Sequence, residues 1–245
     1  MTPAELALLA GVGVLAGTVN TIAGGGSFIT LAAMLWMGLP PVVANATNRV
    51  GVAVQSGAAA WQFKREGLLD LRGLGVGAVA ATVGAVLGAW VSVRLEDALF
   101  ERLIGVVMLL FVPVLLLRPK RWLEGADRPG NPWLLALVLF GLGLYGGLLQ
   151  AGVGVFLLAA LVLLGGHDLV RSNARKSVLV LIFTLPAFAL FVVEDAVHWV
   201  AAGVLAVGSA FGGWLGTKLT VAWGPTFVRA VLLVVVVVSG VRLLV

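Results

Sequence analysis

Gly17-Thr18-Val19-Asn20-Thr21-Ile22-Ala23-Gly24-Gly25-Gly26-Ser27-Phe28 interrupts an apolar run near the start of the chain, and Gln150-Ala151-Gly152-Val153-Gly154-Val155-Phe156 does the same near its middle. Clustered glycines remove side-chain packing and free the backbone, so each cluster marks a helix break. Each break is followed by an apolar stretch, 27–38 and 155–165, too short to cross a hydrocarbon core that takes about 20 helical residues.

Gly24 and Gly152 stand 128 residues apart, and the same interval recurs along the chain. It pairs Gly26 with Gly154, Phe28 with Phe156, Gly38 with Gly166, Asn45 with Asn173 and Glu66 with Glu194. It continues through Gly75 with Gly203, Gly84 with Gly212, Leu87 with Leu215 and Gly88 with Gly216. In a chain with 33 glycines the glycine pairs alone carry little, but an ungapped register that also aligns Phe, Asn and Glu points to an internal duplication. The two copies are 1–117 and 132–245, joined by a polar linker at 118–131.

Composition fixes the solvent. Of 245 residues 61% are hydrophobic and 11% charged, with a mean hydropathy of +1.12; a soluble fold of this size needs more polar surface. The expected architecture is an all-α polytopic membrane protein of ten segments: 4–23, 27–38, 44–62, 69–93, 98–117, 132–150, 155–165, 173–193, 197–221 and 226–245. The runs are too long for barrel strands. No basic residue precedes the first segment, so it reads as a retained helix and not a cleaved leader.

Five segments per copy, an odd number, place the second copy upside down, and charge bias agrees. Lys64, Arg65 and Arg72 follow the third segment of the first copy, where the second copy has Glu194, Asp195 and His198. Only Arg49 lies near the start of that segment in the first copy, against Arg171, Arg175 and Lys176 in the second. The linker, with Arg118, Lys120, Arg121 and Arg128, then falls on the cytoplasmic side and both termini outside. Net charge is +5, but the basic residues sit in short interhelical stretches and form no nucleic-acid face.

Paired broken helices in inverted repeats bring helix N-termini together near the bilayer midplane, where free N–H groups and dipole ends favour an anion. The candidate site therefore takes Asn20, Thr21, Gly24, Gly25, Gly26 and Ser27 from the first break and Gln150, Gly152, Gly154 and Val155 from the second. The N–H groups of Gly25, Gly26, Ser27, Gly154 and Val155 would hold the anion, with Ser27 also suited to capping its own helix. The third segments add Asn45, Thr47, Asn48 and Arg49, then Asn173, Arg175 and Lys176, since amides and guanidinium groups pair with oxyanions. Taken singly, Arg175 and Lys176 read first as positive-inside anchors snorkelling to the cytoplasm. Gln55, Ser56 and Thr184 lie deeper in these segments and line a path or bond the neighbouring backbone. Gly84, Gly88, Gly212 and Gly216 read as close helix packing.

No nucleophile–base or metal-ligand set converges: the chain has no cysteine, His167 and His198 fall in loops, and the acidic residues sit near segment ends. The expectation is a non-enzyme without cofactor or metal. No Walker A loop is present, so energy comes from an ion gradient, H+ or Na+, or from a partner.

The first break, followed by Gly38-Leu39-Pro40 and Ala44-Asn45-Ala46-Thr47-Asn48, resembles the sulfite exporter TauE/SafE family, also called TSUP; Gly146 to Phe156 with Ser172-Asn173-Ala174 is similar to that family's second half. The resemblance covers nearly the whole chain. It implies an inner-membrane permease for sulfite, a sulfonate or a related organosulfur anion, and the paired breaks add the expectation of alternating access around the central site. An anion channel of the same architecture and a non-catalytic membrane assembly subunit are the alternatives. Gly152-Val153-Gly154 departs from the triple glycine of the first break, so the two half-sites need not bind equally.

Overall fold

The structure, a computed structural model, describes residues 1–96, 98–100, 102–103 and 131–244. Its regular elements are the helices α1 Pro3–Ile22, α2 Ser27–Trp36, α3 Pro41–Arg65, α4 Gly75–Ser92, α5 Pro132–Leu148, α6 Val153–Leu163, α7 Leu169–Val193 and α8 Trp199–Leu244. Inside α8, Gly224 leaves helical geometry at φ 67°; it precedes Pro225, whose ring disfavours a helical conformation in the residue before it. The expected segment 98–117 and linker 118–131 lie outside the described residues except for 98–100, 102–103 and Asn131.

Local chemistry sets the helix starts. Thr2 and Glu5 form a capping box with Pro3 in the first turn, Asn131 accepts from the Trp133 N–H ahead of Pro132, and Asp168 accepts from Val170 and Arg171. Among the described residues four helices, Pro3–Ile22, Gly75–Ser92, Leu169–Val193 and Trp199–Gly224, are long and apolar enough to cross a membrane, and three shorter helices are apolar. Outward-facing apolar side chains such as Val79, Leu137 and Val207 need lipid around them, and Trp36, Trp61, Trp133, Trp199 and Trp223 are exposed near helix ends.

The 128-residue interval reappears in the backbone. The bounds of α3 and α7 match at both ends, and Glu66 and Glu194 occupy their C-caps. Gly24 and Gly152 both adopt positive φ, 92° and 73°, as do Gly38 and Gly166. Gly67, at φ 69°, corresponds to Asp195, at φ 50°, a conformation that Asp tolerates better than most residues.

Small residues set the packing. Going up α1, Gly13 abuts Leu205 and Gly208 of α8, and Gly17 abuts Ser209 and Gly212. Gly84 and Gly88 of α4 meet Phe140 and Leu144 of α5 in the same order, while Gly143 and Gly147 of α5 meet Ala81 and Ala85. Each pair therefore runs parallel, with backbones close enough that no side chain fits between them. Gly51 near Leu205 and Gly213 near Gln55 place α3 parallel to α8 as well. In contrast, Asn45 at the start of α3 reaches Ser92 at the end of α4, so those two are antiparallel.

Candidate functional site

Four helix ends converge in the interior. The C-termini of α1 and α5 arrive at the glycine breaks, from which α2 and α6 depart. Gly24 of one break stands against Gly154 of the other, so close that a Cβ on Gly154 would lie 2.6 Å from Gly24 Cα. The positive φ of Gly24 and Gly152 turns the chain at each break, and side chains on L-residues strain that conformation.

Helix C-termini present unpaired carbonyls and a negative dipole end, and each is met by a cation from the third helix of the other half. Arg49, fully buried on α3, donates through Nη1 to Gly146 O at 3.1 Å and to Gln150 Oε1 at 2.9 Å, and through Nη2 to Gly147 O. Its guanidinium lies 4.5 Å from the centre of the Phe191 ring. Lys176, buried on α7, donates to the carbonyls of Asn20 at 3.1 Å and Thr21 at 3.0 Å. The aligned asparagines do matching work: Asn45 Nδ2 donates to Leu148 O at 3.0 Å, and Asn173 Nδ2 to Ile22 O at 3.1 Å. Among the described residues neither Arg49 nor Lys176 has a carboxylate partner.

Between the breaks lies a void of about 10 Å³ lined by Asn20, Thr21, Ser27, Gln55, Ser56, Gln150, Gly154, Lys176 and Ser177, with Val52, Val153 and Val180 as apolar wall; that is about the space of one bound water. Among the described residues Lys176 is the one ionisable side chain in this lining. Gln150 Nε2 donates to Thr184 Oγ1 at 3.1 Å, holding the second break against α7. The buried Thr21 hydroxyl, the Asn48 amide nitrogen and Arg49 Nε have no partner among the described residues. An adjoining narrow space is lined by Asn20, Gly26, Ser27, Thr30, Asn48, Gln55 and Ser209, and Thr30 Oγ1 donates to Asn48 Oδ1 at 2.6 Å.

The expected site residues thus divide. Asn20, Thr21, Gly26, Ser27, Asn48, Gln55, Gln150, Gly154 and Lys176 surround the two spaces. Asn45, Arg49 and Asn173 are turned onto helix-end carbonyls, and Thr47 and Arg175 onto loops beyond. Two readings are corrected: the Val155 N–H is taken by Gly152 O at 3.1 Å, and Ser27 does not cap α2, whose N-cap is Gly26 without a side-chain bond. Ser27 Oγ instead accepts from Asn20 Nδ2 at 3.5 Å. Ser177, Thr30 and the three valines escaped sequence reading. Ser177 was detectable, because it is the counterpart of Arg49 at the 128-residue interval and follows Asn173 by one helical turn.

Away from the void, Arg175 reaches the loop between α3 and α4. Its Nη2 donates to Arg72 O at 3.1 Å and lies 3.7 Å from Asp70 Oδ2. The Arg72 backbone N–H, and then the nearby charges of Arg175 and Arg72, hold the exposed Asp70 carboxyl below its ordinary range. Beside it, partial burial first and the Arg175 charge second pull the His167 imidazole below its usual value. On the other side, Thr47 Oγ1 accepts from the His198 backbone N–H at 3.1 Å.

A family model described as Sulfite exporter TauE/SafE matches residues 9–243. A probable membrane transporter protein of Haemophilus influenzae is 30% identical, covering 94% of this chain and 90% of its own length. The probable membrane transporter protein ORF9 of a Sinorhizobium species is 28% identical over 94% and 88%. The probable membrane transporter protein YfcA of Escherichia coli is 27% identical over 100% and 91%. No solved structure matches the chain.

Proposed function

The chain belongs to the Sulfite exporter TauE/SafE family and is a membrane transporter, and from that premise we propose that it carries a small sulfur oxyanion, sulfite or a sulfonate, through the void between the glycine breaks. The observation that carries this reading is Lys176: a cation aimed at a polar void with no acidic side chain in the lining. A buried charge without a counter-ion is costly, and an entering anion supplies the missing charge. The N-termini of α2 and α6 flank the same void and add the positive ends of two dipoles. Asn20, Thr21, Ser27, Gln55 and Gln150 supply polar groups for oxyanion oxygens, whereas the Ser177 hydroxyl donates to Asn173 O.

The mechanism proposed is alternating access within two inverted repeats, 1–117 and 132–245, joined by a cytoplasmic linker at 118–131, in the inner membrane with both termini external. Parallel packing of α1 on α8 and of α4 on α5, with α3 antiparallel to α4, supports the inversion. A void of one-water size supports a carrier caught closed over a channel with a continuous path, since an oxyanion enters only when the walls separate. A gradient of H+ or Na+ would supply the energy.

Proteoliposome flux of sulfite, thiosulfate and sulfate, with and without a proton or sodium gradient, tests this. Gradient-dependent uptake of one sulfur oxyanion supports it; currents at channel rates would favour the channel, and indifference to every anion removes the cargo.

A further inference from the structure

Thr47 and Arg175 occupy the same position in the two halves, 128 residues apart, and so do their partners Asp70 and His198. In each half, the loop after the third helix is held to the third helix of the other half. Arg175 of α7 meets Asp70 Oδ2 and Arg72 O in the loop after α3. Thr47 of α3 meets the His198 N–H in the loop after α7. Because each third helix meets the far end of the other, α3 and α7 are antiparallel and the two contacts lie on opposite sides of the void. Both contacts lie next to the void along their helices: Lys176, directly after Arg175, lines it, and so does Val52, five residues after Thr47, a rise of about 7.5 Å. Thr47 is fully buried, and the Arg175 side chain is 7% exposed although its partner Asp70 is 57% exposed. Each side chain thus plugs the route between the void and one membrane face.

We propose that Arg175–Asp70 and Thr47–His198 are the two gates of the transport cycle, one for each face, and that opening either one alone admits solvent to the void from that face only. This rests on the reading of the void as the transport site. The gates differ in kind. The Asp70 side is an ion pair at a wet surface, screened by salt; the Thr47 side is a neutral hydrogen bond that salt leaves alone. High ionic strength therefore biases the molecule toward opening on the face that bears Asp70. In the structure both contacts are made, in keeping with the closed void.

The chain contains no cysteine, so a single Ser177→Cys in the void reports access. Sealed right-side-out and inside-out vesicles are treated with a membrane-impermeant thiol reagent, and the rate of labelling is read for each face. Asp70→Ala should speed labelling about two- to fivefold, the scale of one exposed ion pair, from the face bearing Asp70 and leave the other face unchanged. Thr47→Val should do the reverse. Thr47→Ser, which keeps the oxygen, should label like the parent, and exchanging the charges as Asp70→Arg with Arg175→Asp should restore slow labelling. The proposal is overturned if Asp70→Ala and Thr47→Val speed labelling from the same face, if neither changes it, or if Thr47→Ser behaves like Thr47→Val. The readout uses no substrate. Correct face selectivity in a protein that moves no sulfur oxyanion leaves the gates standing and rejects the cargo; gradient-driven flux without face selectivity does the opposite.

Discussion

Gly154 is packed against Gly24 with no room for a methyl group: a Cβ at 154 would come within 2.6 Å of Gly24 Cα. Residues from two distant breaks therefore share one point, and the void beside them exists because their backbones touch. Gly154→Ala should cost about 1–3 kcal/mol of stability through overpacking and abolish transport, since the void loses its shape. Gly38→Ala is the contrast. Gly38 has φ +83° but nothing within 4 Å of a Cβ, so it should cost a similar amount, about 1–2 kcal/mol of backbone strain, and leave transport intact. Thermal unfolding in detergent, paired with flux, separates the two.

Arg49 should behave as a structural cation. It caps the end of α5 through Gly146, Gly147 and Gln150 and lies outside the void lining. Arg49→Ala removes the donor to Gly147 O and Gln150 Oε1, while Gly146 O keeps the Gln150 backbone N–H, and should lose about 2 kcal/mol or more. Arg49→Lys keeps the charge but not the fork, and should fall between. Added sulfite should raise the unfolding temperature of Arg49→Lys as much as that of the parent; a shift lost in this variant would place Arg49 on the anion.

The face that carries Asp70 should weaken with acid in two steps. His167 is depressed in the fold from an ordinary value of 6.5 by burial and by Arg175, against the opposing pull of Asp70 and Asp168. Its neutral form thus adds stability that is fully present above 6.5 and is lost as pH falls through the lower native value. Asp70 is likewise depressed from 3.8, so its contribution persists to stronger acid and goes only as pH falls through its own lowered value. His167→Gln should remove the first step from the pH dependence of thermal unfolding and keep the second; Asp70→Asn should remove the second. One unchanged acid transition in both variants would show that neither group contributes.

Much of this was legible in the chain. The breaks, the half-length helices and the register from Gly24 to Gly152 all follow from backbone freedom and hydrophobic length, which are local properties. Glu66 and Glu194 both occupy helix C-caps, and Gly38 and Gly166 both adopt positive φ. Side-chain destinations were harder to read. Arg49 and Lys176 are both cations near the start of a third helix, yet one ends on a helix terminus with Phe191 over it and the other lines the void while capping α1. That difference depends on which helix end each meets across more than ninety residues of sequence, and no local pattern encodes it. Thr47 and Arg175 show the same limit: polarity in an apolar helix announces a partner without saying whether it is an anion, a loop or the membrane surface.

The most direct measurement is calorimetric binding of sulfite to the purified protein and to Lys176→Met, with thermal unfolding of both as a check that the variant is folded. One sulfite per chain should bind the parent, and the folded variant should show no heat of binding. Equal binding by the two, or no sulfur oxyanion bound by the parent, would contradict the assignment of this void as the transport site.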